Sequence, residues 1–489
     1  MNLAKDFFRK QPLSAFIAIF FVFLHAYNYS SSWMLIGDLT EAFVISFLCV
    51  VAVYFLLLKL SKNKIKAGMY TMLFTLFFFY KGFFKTAISS VIGTDLQFRY
   101  NIFIAIVIFI SVIYFIHRLN ESRVLKLNMF FNVLFTIYIV VDLANVGYDK
   151  IVCPQRILEL VAENPGNTGM SKVSKQAHKP NIYFLVFDEY SSSLSLKDNF
   201  RFDNSPLDSF LLSRGFFLST HSKSNYTYTV FSISSTLNMN YFKNAIDMKF
   251  PDDFGLVWDC IYDNKVMQLL NDEGYKIYNF SAFNFKDHPA TNENFSKFWA
   301  MKFVYGNSFL SIFNVTHKWL DRKYNTNQLQ SVFNEFDKVL KNEMENPRFV
   351  YLHFLLPHHP YKFTKNGKEK SIFAYSKDDR YNTQGYLDQL AFSNRIIFKL
   401  IDEIQLKDKN SIIVLEGDHG NRFYPFNEKG FNKNYYTDKS AFRNLNAYYF
   451  FDKNYSKLND SISPVNSFRV IFSQYFNKNY YQLRDSCCF

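Results

Sequence analysis

Cysteine is scarce in this chain: its 489 residues include five, and none belongs to a C-x-x-C pair. No series of Cys and His residues has the spacing of a structural zinc site. Cys487 and Cys488 are neighbours, whereas Cys153 and Cys260 lie far from them in sequence. Free thiols are therefore expected. A disulfide between one terminal cysteine and Cys153 or Cys260 stays an alternative, since oxidising compartments preserve disulfides.

Basic runs interleaved with aromatic residues are also absent, despite a formal net charge of +13. Much of the positive excess falls in short loops between long apolar segments. The composition therefore indicates no nucleic-acid partner. Lysines scattered through the C-terminal region leave contact with anionic lipid headgroups as an alternative role for the charge.

Long apolar runs dominate residues 12 to about 148, which contain many of the 59 phenylalanines. A chain of this length exceeds one ordinary core, so at least two domains are expected. Five segments each approach the roughly 20 residues that cross a bilayer core. They cover residues 12–29, 40–58, 67–90, 101–117 and 127–147.

Lysine and arginine in the short loops predict the orientation. Basic residues precede the first segment and follow the second and the fourth, whereas residues 27–41 contain none. All basic loops share one side only if every segment crosses, including the third, which contains Lys81 and Lys85. We therefore expect a multi-pass protein of the cytoplasmic membrane, with the N-terminus inside and the C-terminal domain outside. Cleavage of the first segment as a signal peptide is the alternative.

Three parts are predicted: an all-α bundle of five transmembrane helices over 1–148, a juxtamembrane linker over 149–179 and an extracytoplasmic domain over 180–489. The linker contains Pro, Gly and a polar run. The last part alternates strand-like and helix-like runs, which predicts an α/β domain. Its strands are expected at residues 181–187, 216–219, 275–280, 348–354 and 411–416.

Carboxylates and one imidazole follow two of these strands. Asp188 and Glu189 come directly after the first strand, and Asp418 and His419 follow the apolar run at 412–415. The carboxyl ends of strands in an open α/β sheet form its binding edge, so the two groups are expected to meet. Their oxygen and imidazole ligands suit one or two divalent cations, with Mn, Mg, Zn and Ca all left open.

A hydroxyl-rich stretch over residues 224–237 leads into a helix-like run. A hydroxyl at a helix N-terminus is either an N-cap or a nucleophile, and composition leaves both open. A neighbouring cation would supply the activation that a nucleophilic hydroxyl needs near neutral pH. His353, His358 and His359 lie at the end of another strand, where one of them is expected to donate a proton to a leaving group.

Residues 180 to about 476 resemble the sulfatase-like branch of the alkaline phosphatase superfamily, in particular membrane-anchored phosphoethanolamine transferases and lipoteichoic acid synthases. The resemblance implies an alkaline-phosphatase-like α/β domain with a central, mostly parallel sheet. The resembling elements are Pro180 to Tyr190, Ser224 to Ser232, Pro357-His-His-Pro-Tyr361, Gly417-Asp-His-Gly420, Leu445 to Tyr449 and Ser463 to Arg469.

The resemblance also implies roles for single residues. Thr229 is implied as a metal ligand and as the nucleophile that forms a phospho-threonine intermediate, with Thr227 and Ser232 as the alternative nucleophiles. His358 is implied as the catalytic histidine on the substrate side, whereas His359 receives no role. The implied metal ligands beside Thr229 are Asp188, Asp418 and His419, and the implied supporting residues are Glu189 and Ser232.

One departure from the resemblance separates two kinds of enzyme. No cysteine begins the Cys/Ser-x-Pro-x-Arg motif of formylglycine sulfatases, and Cys153-Pro-Gln-Arg156 is one residue short of it. The resemblance thus implies a metal-dependent transferase that moves a phospho-substituent, such as phosphoethanolamine or phosphoglycerol, from a phospholipid donor to a glycan or lipid acceptor. A hydrolase of the same superfamily (phosphatase, phosphodiesterase or sulfuric ester hydrolase) and a catalytically silent membrane protein of envelope assembly stay as alternatives.

Overall fold

The contacts within this computed structural model divide the chain into two units. The first unit comprises Met1–Val152 and Glu293–Thr326, and the second comprises Cys153–Asn292 and Asn327–Phe489. The linear boundaries expected from sequence stay a prediction. The structure describes residues 2–30, 34, 36–92, 98–160, 179–242, 252–291, 293–306, 308–310, 328–342, 347–371, 382–422 and 439–487.

Helices form the N-terminal part of the first unit. They are α1 (Asn2–Lys10), α2 (Ser14–Ser30), α3 (Ile36–Ser61), α4 (Lys64–Phe79), α5 (Lys81–Ile92), α6 (Phe98–Arg118) and α7 (Glu121–Leu160), of which α7 continues beyond Val152 into the second unit. Among the described residues, three stretches are long and apolar enough to cross a membrane, and a shorter apolar helix covers Ser14–Asn28. The three long stretches are Ile36–Ser61, Tyr100–Arg118 and Glu121–Tyr148.

Two of the sequence-based expectations for this region change in detail. The predicted third segment, 67–90, is divided into α4 and α5 at Tyr80, whose backbone has φ −105° and ψ 35°. The break precedes Lys81, where charge interrupts the apolar run. Part of the expected linker is helical, since α7 continues to Leu160, and residues 161–178 lie outside the described residues. A bundle of five spanning helices therefore stays a prediction.

A helix from the middle of the sequence belongs to the first unit. It is α13 (Glu293–Gly306), which buries Ala300 and Met301 against side chains of α2 and α3. The Tyr305 hydroxyl lies 2.8 Å from the Ser46 hydroxyl of α3 and forms a hydrogen bond with it. The sequence of a helix with an apolar face does not predict which of the two units covers that face.

A six-stranded sheet forms the centre of the second unit. Its spatial order is β2-β6-β5-β1-β4-β3. β5, β1, β4 and β3 run parallel, whereas β6 is antiparallel to β5 and β2 is antiparallel to β6. The prediction of an α/β domain with a mostly parallel sheet is confirmed. The strands are β1 (Asn181–Phe187), β2 (Phe217–Leu218), β3 (Lys276–Phe280), β4 (Arg348–Phe354), β5 (Ser411–Gly417) and β6 (Asn446–Phe450).

Helices cover both faces of this sheet, so β1 is buried along its whole length and is almost entirely apolar. Successive side chains of β1 belong to two different hydrophobic cores. Phe184 packs in one of them and Leu185 in the other. The helices are α8 (Ser193–Phe200), α9 (Ser205–Ser213), α10 (Thr229–Asn238), α11 (Asp252–Tyr262), α12 (Lys265–Asp272), α14 (Gln328–Lys341), α15 (Thr383–Lys407) and α16 (Ser467–Tyr475).

The five predicted strands are present, with ends that shift by one residue at most. The candidate at 216–219 is the shortest of them and keeps only the two residues of β2. β6 was not predicted as a strand. Its backbone pairs with β5 and β2 in the sheet. The sequence of a five-residue segment does not predict such a long-range contact.

Candidate metal centre

The carboxyl ends of β1 and β5 bring three ionisable side chains together. Asp188 follows β1, and Asp418 and His419 follow β5, its parallel neighbour. One potential ligand atom from each of the three lies within 4.8 Å of the others. His419 Nε2 is 3.9 Å from Asp188 Oδ1 and 3.6 Å from Asp418 Oδ2. All three side chains are buried.

The backbone at the two strand ends fixes the Asp418 carboxylate. Its Oδ1 accepts hydrogen bonds from the N–H groups of Glu189 (2.9 Å) and His419 (2.8 Å). Gly417 approaches Tyr190 so closely that a Cβ built on it would lie 2.2 Å from the Tyr190 carbonyl oxygen. Only glycine therefore fits directly before Asp418.

Replacing Gly417 by alanine is expected to weaken metal binding and to destabilise the fold. The added methyl group must displace either the Tyr190 backbone or the segment that carries Asp418. Overpacking of this kind costs about 1–3 kcal/mol. Gly147→Ala is the matched control, because nothing lies within 4 Å of a Cβ built there. Metal titration and thermal unfolding check both variants, and equal behaviour would contradict the steric account.

His419 presents an unprotonated nitrogen to the centre. Its Nδ1 is 2.9 Å from the Gly420 carbonyl oxygen, which only accepts, so Nδ1 carries the hydrogen and Nε2 keeps its lone pair. Burial lowers the pKa of His419 to about 3, and the imidazole is neutral near pH 7. This is the form in which histidine binds a metal.

Negative charge accumulates at the same place. Burial, together with the neighbouring carboxylates of Asp418 and Glu189, raises the pKa of Asp188 well above its ordinary value. Asp418 Oδ2 and Glu189 Oε2 are buried and have no hydrogen-bond partner within the described part of the chain. Unpaired buried carboxylate oxygens are costly unless a cation compensates them. Asp188, Asp418 and His419 therefore fit a divalent metal ion.

The Thr229 hydroxyl faces these ligands. Its Oγ1 is 3.4 Å from Asp188 Oδ1 and 3.4 Å from His419 Nε2. Thr229 is the first residue of α10, and the N-cap residue is Tyr228. The alternative in which the Thr229 hydroxyl serves as the N-cap is therefore wrong. The first N–H groups of a helix have no partner inside the helix, and they favour an anion at this end.

The two alternative hydroxyls have different surroundings. Ser232 donates a hydrogen bond of 2.5 Å to the Asp418 carbonyl oxygen, so its hydroxyl positions the segment that carries this carboxylate. Thr227 is buried, and no hydrogen bond among the described residues joins it to Asp188 or Asp418. Of the three hydroxyls, the Thr229 hydroxyl is the one that contacts both Asp188 and His419.

Glu189 and His358 form a pair beside the centre. His358 Nε2 is 3.9 Å from Glu189 Oε2, while its Nδ1 lies against the His359 carbonyl oxygen. Gln389 Nε2 donates a hydrogen bond of 2.8 Å to the His358 carbonyl and holds the loop. The His358 side chain is 31% exposed, so a substrate can reach it, in contrast to fully buried His419.

The other two histidines of this loop region are less suited to proton donation. His353 lies buried in β4, with Nδ1 2.8 Å from the Tyr351 hydroxyl and no partner for Nε2 within the described residues. Burial lowers the pKa of His353 to about 4, so the ring is neutral near pH 7 and is a poor proton donor. The His359 ring packs edge-on against Tyr361.

Arg422 is a candidate that sequence reasoning missed. Its backbone N–H donates to Glu189 Oε1 (3.1 Å), and its Nε is 3.8 Å from the same oxygen. Its guanidinium lies 5.0 Å from the centre of the Tyr228 ring. Arg422 thus adds positive charge where carboxylates dominate. The only sequence signal was a basic residue three positions after His419.

Glu416 is a second missed feature, inside β5 and two residues before Asp418. It is 1% exposed, and its Oε1 accepts a hydrogen bond from the Ser467 hydroxyl. Burial raises the pKa of Glu416 to about 8, so the group is protonated near neutral pH. A single acidic residue inside an apolar strand was the available signal.

Glu416→Gln is expected to remove from the metal-free protein a contribution to stability that decreases as pH rises. Glu416 has a pKa of about 8 when folded, against an ordinary value of 4.5. Because the folded pKa is raised, the contribution of Glu416 to wild-type stability falls as pH rises from about 4.5 to about 8, by at most about 1.4 kcal/mol per pH unit. Unfolding midpoints of chelator-treated protein between pH 5 and 8 check this. Glu335→Gln, on the exposed side of α14, is the control, and parallel wild-type and Glu416→Gln profiles would contradict it.

Comparison with known proteins identifies the type of domain that carries this site. The family model described as Sulfatase matches residues 180–460, more than half of the chain. No curated protein matches this chain.

Three solved structures illustrate the likeness. An integral membrane lipooligosaccharide phosphoethanolamine transferase from Neisseria meningitidis is 11% identical, with a TM-score of 0.41, covering 81% of this chain and 79% of that one. The periplasmic domain of a phosphoethanolamine transferase from Campylobacter jejuni is 14% identical, with a TM-score of 0.39 and coverages of 62% and 92%. An alkaline phosphatase superfamily protein from Vibrio parahaemolyticus is 14% identical, with a TM-score of 0.38 and coverages of 66% and 71%.

Proposed function

Because this chain belongs to the sulfatase family, we propose that it is a metal-dependent, membrane-anchored transferase. It moves a phospho-substituent, such as phosphoethanolamine or phosphoglycerol, from a phospholipid to a surface glycan or lipid acceptor. The observation that carries the proposal is the placement of Thr229 Oγ1, 3.4 Å from both Asp188 Oδ1 and His419 Nε2, at the start of a buried helix.

Asp188, Asp418, His419 and the Thr229 oxygen would hold the metal, which is Mn, Zn, Mg or Ca. When bound, a divalent cation neutralises the buried carboxylates and polarises a phosphoryl oxygen. The chain's own residues supply the remaining functions. The free N–H groups of α10 and the Arg422 guanidinium face negative charge that develops at the phosphoryl group.

The proposed reaction has two displacements. Thr229 Oγ1 loses its proton toward Asp188 Oδ1 and forms a bond to phosphorus, while the bond from phosphorus to the diacylglycerol oxygen breaks. His358, held beside Glu189, gives that leaving oxygen a proton. In the second displacement an acceptor hydroxyl passes its proton to His358 and attacks phosphorus. The bond from phosphorus to Thr229 Oγ1 breaks, and Oγ1 takes back the proton that Asp188 received.

The apolar helices supply the access to a lipid donor. Within the described part of the chain, three of them are long and apolar enough to cross a membrane. We infer from the basic loops on one side of the predicted spans that the second unit lies outside the cytoplasmic membrane, where phospholipid headgroups and surface glycans are both within reach. This location and the five-span anchor belong to the proposal.

Hydrolysis is the second candidate, favoured by the match to the Sulfatase family model. Water would then resolve the intermediate in place of a glycan hydroxyl. A formylglycine mechanism does not fit, because Thr229 occupies the nucleophile's position and the chain lacks the Cys/Ser-x-Pro-x-Arg motif. The complete set of ligands at the centre speaks against a catalytically silent envelope protein.

One assay separates these candidates. Purified full-length protein is incubated with headgroup-labelled phosphatidylethanolamine or phosphatidylglycerol, with and without an extract of cell-surface glycans. A transferase moves the label to glycan and releases diacylglycerol. A hydrolase releases the free phospho-substituent at the same rate with or without glycan. Absence of any diacylglycerol in metal-supplemented protein would reject both enzymatic proposals.

A further inference from the structure

A buried asparagine holds the chain just before Thr229. Asn225 lies four residues before Thr229 and is fully buried. Its side-chain oxygen accepts a hydrogen bond of 2.9 Å from the Val465 backbone N–H. Its amide nitrogen donates to the Ser463 hydroxyl (3.1 Å) and to the Ser486 carbonyl oxygen (2.9 Å). Asn225 therefore joins the segment that leads to the proposed nucleophile to two later parts of the chain.

The start of α10 has no side-chain cap of its own. Its N-cap residue is Tyr228, whose side chain makes no capping hydrogen bond. The contacts of the Thr229 hydroxyl with two of the candidate ligands are long, at 3.4 Å each. The place of the Thr229 oxygen thus depends on how the backbone around it is held. Ser232 holds the following residues through the Asp418 carbonyl oxygen, and Asn225 holds the preceding ones.

Residues 481–486, which we call the strap, complete the support of Asn225. Ser486 accepts a hydrogen bond from Asn225 directly. Asp485 Oδ1 accepts hydrogen bonds from the backbone N–H (3.0 Å) and the hydroxyl (2.7 Å) of Ser463, whose oxygen in turn accepts one from Asn225. The strap therefore fixes Asn225 both by its own backbone and through Ser463.

The other end of α10 is held from the same part of the chain. Arg469, in α16, is buried and donates a hydrogen bond of 2.7 Å to the carbonyl oxygen of Met239, the C-cap residue of α10. Its Nε donates to the carbonyl oxygen of Tyr481, in the strap. Residues 463–469, which have no role in the proposed cleavage of the donor, thus support α10 near both of its ends.

We propose that Asn225 is a positioning residue, which together with the strap sets the place of Thr229 Oγ1. This inference rests on the proposed function, in which that oxygen attacks phosphorus. Asn225 acts through the backbone of residues 226–228 and not by contact with the substrate. A displacement of a reacting atom by about 1 Å lowers the rate on the order of 100-fold, so a well-held approach to Thr229 has a large kinetic effect.

Asn225→Ala tests this role in full-length, metal-supplemented protein. Alanine leaves the Val465 N–H and the Ser463 hydroxyl without their partner, so the segment before Thr229 loosens. We expect kcat for diacylglycerol release to fall about 100-fold, while the KM for phospholipid stays within about 3-fold of wild type. An unchanged kcat would overturn the inference, and so would a loss that resides entirely in KM.

Asn181→Ala is the matched control. Asn181 is also buried, its side-chain oxygen accepts a hydrogen bond of 2.9 Å from the Arg348 N–H, and its amide nitrogen donates to Asp408. It begins β1, seven residues and roughly 23 Å of extended strand before Asp188. The control therefore loses a comparable set of buried hydrogen bonds far from Thr229. It should keep kcat within about 3-fold of wild type, and an equal loss in both variants would overturn the inference.

Hydrogen exchange measures the same effect without turnover. In Asn225→Ala the backbone amides of residues 226–238 should exchange faster than in wild type, whereas those of β5 should not change. In Asn181→Ala residues 226–238 should exchange at the wild-type rate. Equal exchange of this segment in all three proteins would overturn the inference. Wild-type protein that cleaves no phospholipid would reject the proposed function, and the exchange rates would still decide whether Asn225 orders the Thr229 segment.

Asp485→Ala tests the strap, and because Asp485 is exposed it also serves if Asn225→Ala does not fold. Losing the acceptor for Ser463 should lower kcat about 10-fold and speed exchange of residues 226–238. Because the strap acts through Asn225, the double variant should be no slower than Asn225→Ala alone. Losses that multiply in the double variant, or wild-type kinetics and exchange in Asp485→Ala, would overturn the role of the strap.

Discussion

Replacement of Thr229 by alanine is expected to lower turnover of labelled phospholipid by at least about 10⁴-fold, as loss of a catalytic nucleophile does in other enzymes. The reason is geometric. Thr229 Oγ1 is the hydroxyl that lies 3.4 Å from both Asp188 and His419, so no other side chain replaces it at the attacking position. The measurement is initial-rate release of diacylglycerol by purified, metal-supplemented protein.

Thr227→Ala is the matched control for this experiment. Thr227 is a buried threonine two residues earlier, without a hydrogen bond to the ligand carboxylates among the described residues, and its replacement should leave the rate within a few-fold of wild type. Thr229→Ser keeps a hydroxyl and should retain part of the activity. Mass spectrometry of wild-type protein quenched without acceptor should find the added phospho-substituent on Thr229. Unchanged turnover in Thr229→Ala would reject the assignment.

The part of this molecule that sequence predicts best is the edge of the sheet. An apolar run such as Ile412–Leu415 forms a strand buried on both faces, and its first polar residues then fall at the carboxyl end. Two such strands, ending at Asp188 and Asp418, become parallel neighbours, so their side chains meet. Local pattern and fold class together are sufficient for that inference.

Other features depend on contacts that local pattern does not encode. The position of α13 against α2 and α3 depends on which unit covers its apolar face, and the strand β6 depends on pairing with β5. The third predicted span is divided at Tyr80, and this division depends both on the nearby lysine and on the packing of α4. Each of these is a tertiary choice between locally acceptable alternatives.

The supporting residues of the centre were hidden for a related reason. Arg422 and Glu416 act through partners far away in sequence, Glu189 and Ser467 respectively. A buried glutamate is stable only because its environment keeps it protonated, and that environment exists only in the folded chain. Sequence motifs identify the candidate metal-binding groups more readily than the groups that position them.

Asp418→Asn is expected to stabilise the metal-free protein and to remove most of the stability that wild type gains from metal. In the metal-free wild type, buried Asp188, Glu189 and Asp418 repel one another, and this repulsion contributes to the raised pKa of Asp188. Asparagine removes one of these charges. Its amide oxygen still accepts the hydrogen bonds from Glu189 and His419 that Asp418 Oδ1 accepts. The metal-free variant should therefore unfold at a higher temperature than metal-free wild type.

With metal the order should invert. In the variant an amide group replaces Asp418 Oδ2, which now lies without a hydrogen-bond partner among the described residues. Because the ion loses a charged ligand, the variant should bind it more than about 100-fold more weakly. This loss exceeds the usual effect of replacing a residue that only supports a ligand. Wild type gains about 4 kcal/mol at a metal concentration 1,000 times its Kd, a gain that the variant largely lacks. Elemental analysis of both proteins as purified identifies the ion.

Unfolding midpoints measured with chelator and with added Mn or Zn decide the case. Asp272→Asn, at the exposed end of α12, is the control and should gain as much from metal as wild type does. A metal-dependent rise in Asp418→Asn as large as in wild type would mean that the ion binds elsewhere. A metal-free Asp418→Asn protein less stable than metal-free wild type would mean that the carboxylates do not repel one another, because they would then be compensated by the chain itself.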